Sequence, residues 1–176
     1  MKKLSFLLFI GALFFLTSCE EKGIYKTFDI QYSYEVTVPA DAFISLPLDV
    51  FASEKESNAE AQFEINDTRK DLVEEVYLRN LWLEIESPNG EDFSFLQSAA
   101  FYVDTDELPE ELIAEKNPVP ENVYDELSFD VRTVNLASFI KADEFDIRAN
   151  IVTDEERTRS TTIKGTALFE VRAKVL

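Results

Sequence analysis

The stretch TTIKGTALFEVRAKVL at residues 161–176 decides the fold class, because Ile163, Gly165, Ala167, Phe169, Val171, Ala173 and Val175 all share one parity. Apolar residues at strict period two over that length describe a half-buried β-strand, since a helix would space them three and four apart. The same pattern opens the body of the chain. Phe28, Ile30, Tyr32, Tyr34, Val36 and Val38 alternate with polar residues and stop at Pro39. Shorter versions follow at Ala61, Phe63 and Ile65, at Leu81, Leu83 and Ile85, at Leu127, Phe129 and Val131, and at Phe145, Ile147, Ala149 and Ile151. Residues 43–51 are apolar but interrupted by Pro47, which suits an edge strand or a bulge. Such an edge could accept a partner strand by augmentation, or its proline could protect it from that pairing.

The connections carry their own signals. Residues 53–60 are polar and read as a loop, and Asn66-Asp67-Thr68 offers an N-cap for one or two helical turns over residues 69–77. Pro88-Asn89-Gly90 is a turn signal, so Phe93, Phe95, Ala99, Phe101 and Val103 are expected to return as the second arm of a hairpin spanning residues 79–103. A second hairpin is expected over residues 144–175, around the charged segment Asp154-Glu155-Glu156-Arg157. Residues 104–126 hold nine acids against Lys116, with Pro109, Pro118 and Pro120, and read as a surface crossover with at most a helical turn over residues 110–116. Residues 135–141 suit a short helix that turns Leu136, Phe139 and Ile140 inward. Seven or eight strands, and no helix long enough to cover a parallel sheet, predict an all-β fold. The expected architecture is an antiparallel two-sheet sandwich, immunoglobulin-like or jelly-roll-like, with a small closed β-barrel as the alternative.

The amino end has a different grammar. Lys2 and Lys3 precede an apolar run over residues 4–16, and the small residues Thr17 and Ser18 follow. That is the layout of a secretory signal, and the run is shorter than the ~20 residues a membrane span needs. Leu16-Thr17-Ser18-Cys19 matches the lipobox of bacterial lipoproteins residue by residue. The resemblance implies that residues 1–18 are a signal peptide and that the Cys19 thiol carries a diacylglycerol. It also implies cleavage before Cys19 and an acyl chain on the new amino group. The residues alone also allow an ordinary secretory signal with an incidental cysteine. Glu20 and Glu21, directly behind Cys19, are similar to the acid-rich export signals of surface lipoproteins of Bacteroidota; they equally suit the start of a solvated tether. The expected organisation is a lipidated tether at residues 19–26 and a single β domain at residues 27–176. The plan as a whole resembles small all-β outer-membrane lipoproteins of Bacteroidota, which implies an outer-membrane address with the leaflet open and brings no catalytic residues with it.

Composition narrows the chemistry. Residues 19–176 number 158 and hold 15 basic against 35 acidic side chains, a formal net charge of −20. That balance argues against nucleic acid, whose binding neutralises phosphates with cations. No histidine is present and Cys19 is the one cysteine, which excludes Ser-His-Asp and Cys-His pairs and the usual zinc sites. The four glycines are scattered and build no phosphate-cradling loop.

Three candidate sites remain. Asp104, Asp106 and Glu107, with Glu110 and Glu111, offer hard oxygen ligands for calcium, although the segment lacks the glycine and acid spacing of an EF-hand loop. Trp82, Glu84 and Glu86 are expected on one strand face, where an indole could stack on a sugar ring and carboxylates accept hydroxyl hydrogen bonds. Tyr32 and Tyr34 share the apolar face of their strand and are expected in the core with their hydroxyls satisfied. The functional expectation is a lipid-anchored, non-enzymatic binding or accessory module of the cell envelope, its partner an envelope protein or glycan. One alternative is a small carbohydrate-processing enzyme, which requires two carboxyls facing each other across a cleft at roughly 5 to 9.5 Å. The other is a calcium-stabilised adhesion-like domain.

Overall fold

The computed structural model describes residues 23–38, 40, 45–48, 56–124, 126–142, 145–153 and 158–176. Their strands are β1 (Tyr25–Val38), β2 (Ser45–Leu48), β3 (Glu56–Ser57), β4 (Val73–Ser87), β5 (Leu96–Asp104), β6 (Glu111–Lys116), β7 (Glu126–Ser128), β8 (Asp130–Val131), β9 (Asp146–Thr153) and β10 (Thr161–Lys174). Two short helices, α1 (Ala59–Ile65) and α2 (Ala137–Lys141), and a 3-10 turn at Lys70–Leu72 complete them.

The long alternating segments sit at the centre. Strand β10 pairs antiparallel with β1 from Tyr25–Lys174 to Val38–Thr161, and with β4 on its other side. Ile163, Gly165, Ala167, Phe169, Val171 and Ala173 are all buried, as their parity requires. The first sheet runs β3-β1-β10-β4-β7 and the second β2-β9-β5-β6-β8, and every pairing is antiparallel. Inner faces of both sheets meet in one core: Ile30, Leu81 and Phe169 from the first, Phe101, Ile113 and Ala149 from the second. Phe101 meets Phe129 edge-on at 4.9 Å between centroids, a favoured aromatic geometry.

The fold is therefore an all-β two-sheet sandwich. Neither sheet closes on the other, because β3 and β7 bound the first and β2 and β8 the second; the barrel alternative is excluded. Setting aside the two-residue strands β3 and β8, the first sheet holds the first, eighth, third and sixth strands, and the second holds the second, seventh, fourth and fifth. That interleaving is the jelly-roll order of eight strands. Strand β2, with its Pro47, is an edge as expected. The edge strands β2, β3, β7 and β8 have two to four residues each, which limits edge-to-edge pairing.

The same interleaving overturns both expected hairpins. β4 pairs with β10 and β7, whereas β5 pairs with β9 and β6. The turn after β4, with Gly90 at φ +83°, carries the chain from one sheet to the other instead of folding it back. Phe93 and Phe95 fill the end of the core in that crossing. β9 and β10 likewise lie in different sheets. The acidic crossover is not all loop: residues 111–116 form β6, paired with β5, and bury Ile113 and Ala114 instead of making a helical turn.

Two local readings change places. Residues 61, 63 and 65 lie in helix α1 rather than a strand, and Ala59 and Phe63, four apart on one helical face, pack on the core. Phe63 meets Phe28 edge-on at 5.9 Å. Residues 53–60 are correspondingly not one loop, since residues 56–57 form β3 and α1 begins at Ala59. The expected helix over residues 69–77 is a single 3-10 turn followed by β4. The strand pattern is hidden there by β-bulges. β4 slips against β10 between Arg172/Ala173 and between Leu168/Phe169, so the inward set runs Val73, Val76, Leu78, Leu81, Leu83. Each extra residue shifts the parity by one, and the resulting spacing of three, two, three and two breaks the strict alternation that marks a strand. The expected strand at residues 127–131 splits at Phe129, with β7 in the first sheet and β8 in the second. Helix α2 forms as expected and buries Ala137, Phe139 and Ile140, while Leu136 is buried just ahead of it. Asn135 Oδ1 accepts the backbone N–H groups of Val76 and Ala137, tying α2 to β4. Tyr25 and Lys26 already belong to β1, so the expected tether ends by Ile24.

Candidate functional site

The outer face of the first sheet presents two rows of side chains, set by register. One row crosses Ser33 on β1, Thr166 on β10, Trp82 on β4 and Ser128 on β7. The next crosses Glu35, Lys164, Glu84 and Glu126 on the same strands. Leu81 and Leu83 point inward and are buried, so the pleat turns Trp82 and Glu84 outward. Trp82 is half-buried, and beside it lies a depression of about 310 Å³ lined by Asn80, Leu81, Trp82, Glu126, Ser128 and Phe129.

The polar groups here are three carboxylate acceptors, Glu35, Glu84 and Glu126, beside the Lys164 ammonium and a row of hydroxyls. Ser128 Oγ donates to Glu126 Oε1 at 2.9 Å, and the Ser33 and Thr166 hydroxyls lie 3.4 Å apart. Among the described residues neither Glu84 nor Glu126 forms an ion pair. An aromatic plane beside unpaired carboxylates can stack on the apolar face of a pyranose ring and accept its hydroxyl hydrogen bonds.

Of the expected trio, Trp82 and Glu84 come together on this face. Glu86 does not join them: it sits at the irregularity between Thr162 and Ile163, where Ser87 takes the position opposite Thr162. Glu126 and Ser128 supply the missing wall. The alternation of Glu126, Leu127 and Ser128 puts both outward, but only the long-range pairing of β7 with β4 brings them to Trp82. Glu84 and Glu126 are cross-strand neighbours on an outer sheet face, not carboxyls opposed across a cleft.

The acidic segment divides. Asp104 accepts from Arg148 at 2.5 Å and Glu110 pairs with the same guanidinium, so both carboxylates are already engaged by one cation. Asp106 and Glu107 are exposed on a turn whose Thr105 Oγ1 accepts the N–H groups of Glu107 and Leu108. Among the described residues no three acidic side chains converge as a metal-ligand group. Cys19, Glu20 and Glu21 lie outside the described residues, as do residues 43, 44 and 49–51 of the expected edge segment.

The tyrosines separate too. Tyr25 donates to Glu74 at 3.1 Å, and that bond to the carboxylate raises its pKa above the ordinary value. Tyr32 meets Phe145 and Phe169 edge-on, each at 5.7 Å. Tyr34 corrects an expectation: it is a core residue, yet its buried hydroxyl has no hydrogen-bond partner among the described residues. Burial pushes that hydroxyl far above the ordinary tyrosine value.

No protein-family model, curated protein or solved structure matches the chain. Among the described residues no helix is long and apolar enough to cross a membrane.

Proposed function

We propose that this protein is a lipid-anchored, non-enzymatic binding module of the cell envelope, held in the outer membrane through acyl chains on Cys19. Its ligand is an envelope glycan that docks on the outer face of the first sheet. The anchor is supported by the match of Leu16-Thr17-Ser18-Cys19 to the lipobox. Two or three acyl chains hold a protein effectively permanently where one holds it marginally. The observation that carries the binding face is the half-buried Trp82 beside a depression walled by Glu126, Ser128 and Asn80. A binding role is preferred over hydrolysis because Glu84 and Glu126 stand side by side on one sheet face. Glycosidic cleavage needs two carboxyls flanking the scissile bond.

Trp82 is the only tryptophan, so its intrinsic fluorescence reports the face directly. Titration with a panel of envelope oligosaccharides is expected to shift or quench the emission, and Trp82→Ala should abolish binding measured by calorimetry. Unchanged emission across the panel, together with a membrane pull-down partner retained equally by Trp82→Ala, would refute the glycan face. Cell fractionation of Cys19→Ala tests the anchor separately: the substitution should release the protein from the membrane fraction.

A further inference from the structure

Four large hydrophobic residues are exposed among those described, and three of them gather at one end of the sandwich. They are Ile24 and Leu176, each 73% exposed, and Ile65 at 69%; the fourth, Tyr124 at 56%, is elsewhere. Hydrogen bonds show the gathering. Val175 N–H donates to Ile24 O at 2.8 Å, and Leu176 N–H donates to Asp67 O at 2.9 Å, two residues past Ile65. Thr68 Oγ1 donates to Lys174 O at 2.6 Å and closes the same corner. Tyr124 lies at the opposite end, where Phe93 N–H donates to Val123 O just beyond the far end of β4. A lone exposed apolar residue means little, but three at one end of an otherwise acidic molecule call for a reason.

The position of Cys19 supplies it. Ile24 is five residues from Cys19, and a chain of that length reaches at most roughly 18 Å even fully extended. The apolar end is therefore the end that a lipid on Cys19 would hold against the bilayer. Its surroundings suit the headgroup layer. Tyr25 carries the Arg172 guanidinium over its ring at 4.3 Å and a bond to Glu74, an aromatic with a polar tip of the kind enriched at membrane interfaces. Six local charges form pairs, Lys26 with Asp67 at 3.3 Å, Arg69 with Asp71 at 2.7 Å and Arg172 with Glu75 at 3.0 Å, and the acids Glu64 and Glu74 are matched in number by Lys70 and Lys174. The end thus lacks the unbalanced negative charge that would keep it off a lipid surface.

We infer that Ile24, Ile65 and Leu176 form an apolar collar that seats this end of the sandwich in the bilayer interface and sets the orientation of the whole domain. The occupant is the phospholipid surface carrying the Cys19 anchor, and the inference rests on the lipobox reading. The test uses the chain beginning at Cys19, coupled through that thiol to maleimide lipids in brominated phosphatidylcholine vesicles. In a Trp82→Phe background, Ile65→Trp and Leu176→Trp place a reporter in the collar and Tyr124→Trp places one at the far end, with circular dichroism checking the fold. The collar reporters should lose most of their emission to the bromines while Tyr124→Trp keeps its own. Equal emission from the two ends would overturn the collar. The anchor fails by a different measurement: an unmodified Cys19 thiol, found by mass spectrometry of chain recovered from the producing cells' envelope, would overturn the lipidation and the seat with it.

Discussion

Tyr34→Phe should stabilise this protein. The Tyr34 side chain faces the core, and its ring fills the space opposite Gly165, where any Cβ would overlap it. Removing the hydroxyl leaves those ring contacts intact. The hydroxyl itself is buried without a partner among the described residues. The neighbouring void is about 10 Å³ and walled almost entirely by apolar groups such as Val36, Leu83, Phe95 and Ile151. A bridging water needs about 10–15 Å³ and two to four polar partners, so none can be held there. An unsatisfied buried hydroxyl costs about 1–3 kcal/mol, and at roughly 3 °C per kcal/mol for a domain of this size its removal raises Tm by about 3–9 °C. A second signature lies in alkali. The hydroxyl's folded pKa stands far above its ordinary value of 10.0 because burial disfavours the phenolate. Below pH 10 both states keep the proton and pH has no effect through this group. Above pH 10 the unfolded chain loses it first, so stability falls by about 1.4 kcal/mol per pH unit. Urea denaturation of the unlipidated chain and of Tyr34→Phe at pH 7, 10 and 11 measures both effects. The stability gap should widen with pH in favour of Tyr34→Phe, since the other titrating groups are common to both. A Tyr34→Phe chain that is less stable at pH 7 and has the same alkaline slope would refute the reasoning, because it would mean that the hydroxyl is bonded.

Gly165→Ala should destabilise by about 1–3 kcal/mol, because the new Cβ drives the Tyr34 ring from its place. In a Tyr34→Ala background the same change should cost far less, and a strictly additive double-mutant cycle in urea would disprove that contact. Calcium and a chelator should give the same Tm in differential scanning calorimetry, since Arg148 already occupies Asp104 and Glu110 and no third acid among the described residues converges on them. A calcium-dependent rise in Tm of several degrees would restore the adhesion-like reading of the acidic segment.

Strand identity was legible in the sequence wherever one strand kept strict alternation against a buried face. β10 keeps straight parity against β1 along its length, and the buried residues of β1 and β9 alternate in the same way. β4 was half legible, because its bulges break the parity at Glu74 and Arg79 and leave the Asn66-Asp67-Thr68 cap as the stronger local signal. The Pro88-Asn89-Gly90 signal correctly marked a turn but not its destination. Turn chemistry constrains a few backbone angles, whereas the choice between folding back and crossing over is made by the distant strands β10 and β9 competing for β4 and β5. The candidate site shows the same divide. Trp82 and Glu84 share a face by simple alternation within β4. Glu126 and Ser128 reach them only through a three-residue pairing whose partner no local pattern names. Tyr34 was legible as core, yet its missing hydrogen bond was not, since satisfaction depends on which groups from other strands arrive around it.

The collar and the Trp82 face make geometric sense together. β1 begins beside the tether and runs away from it, and Ser33, in the row of Trp82, lies eight residues beyond Tyr25 along that strand. At about 3.3 Å per residue this is roughly 26 Å. If the apolar end sits in the interface, the strands stand up from the bilayer and the Trp82 depression faces sideways, clear of the headgroups yet close to the membrane. A short tether would otherwise leave the acidic domain free to tumble within its reach, with the face buried against the membrane for part of the time. An apolar seat removes that freedom without adding contacts to the ligand. Loss of the collar should therefore weaken capture of a large surface-bound glycan by the anchored protein while leaving the affinity of the detached protein for a short oligosaccharide unchanged.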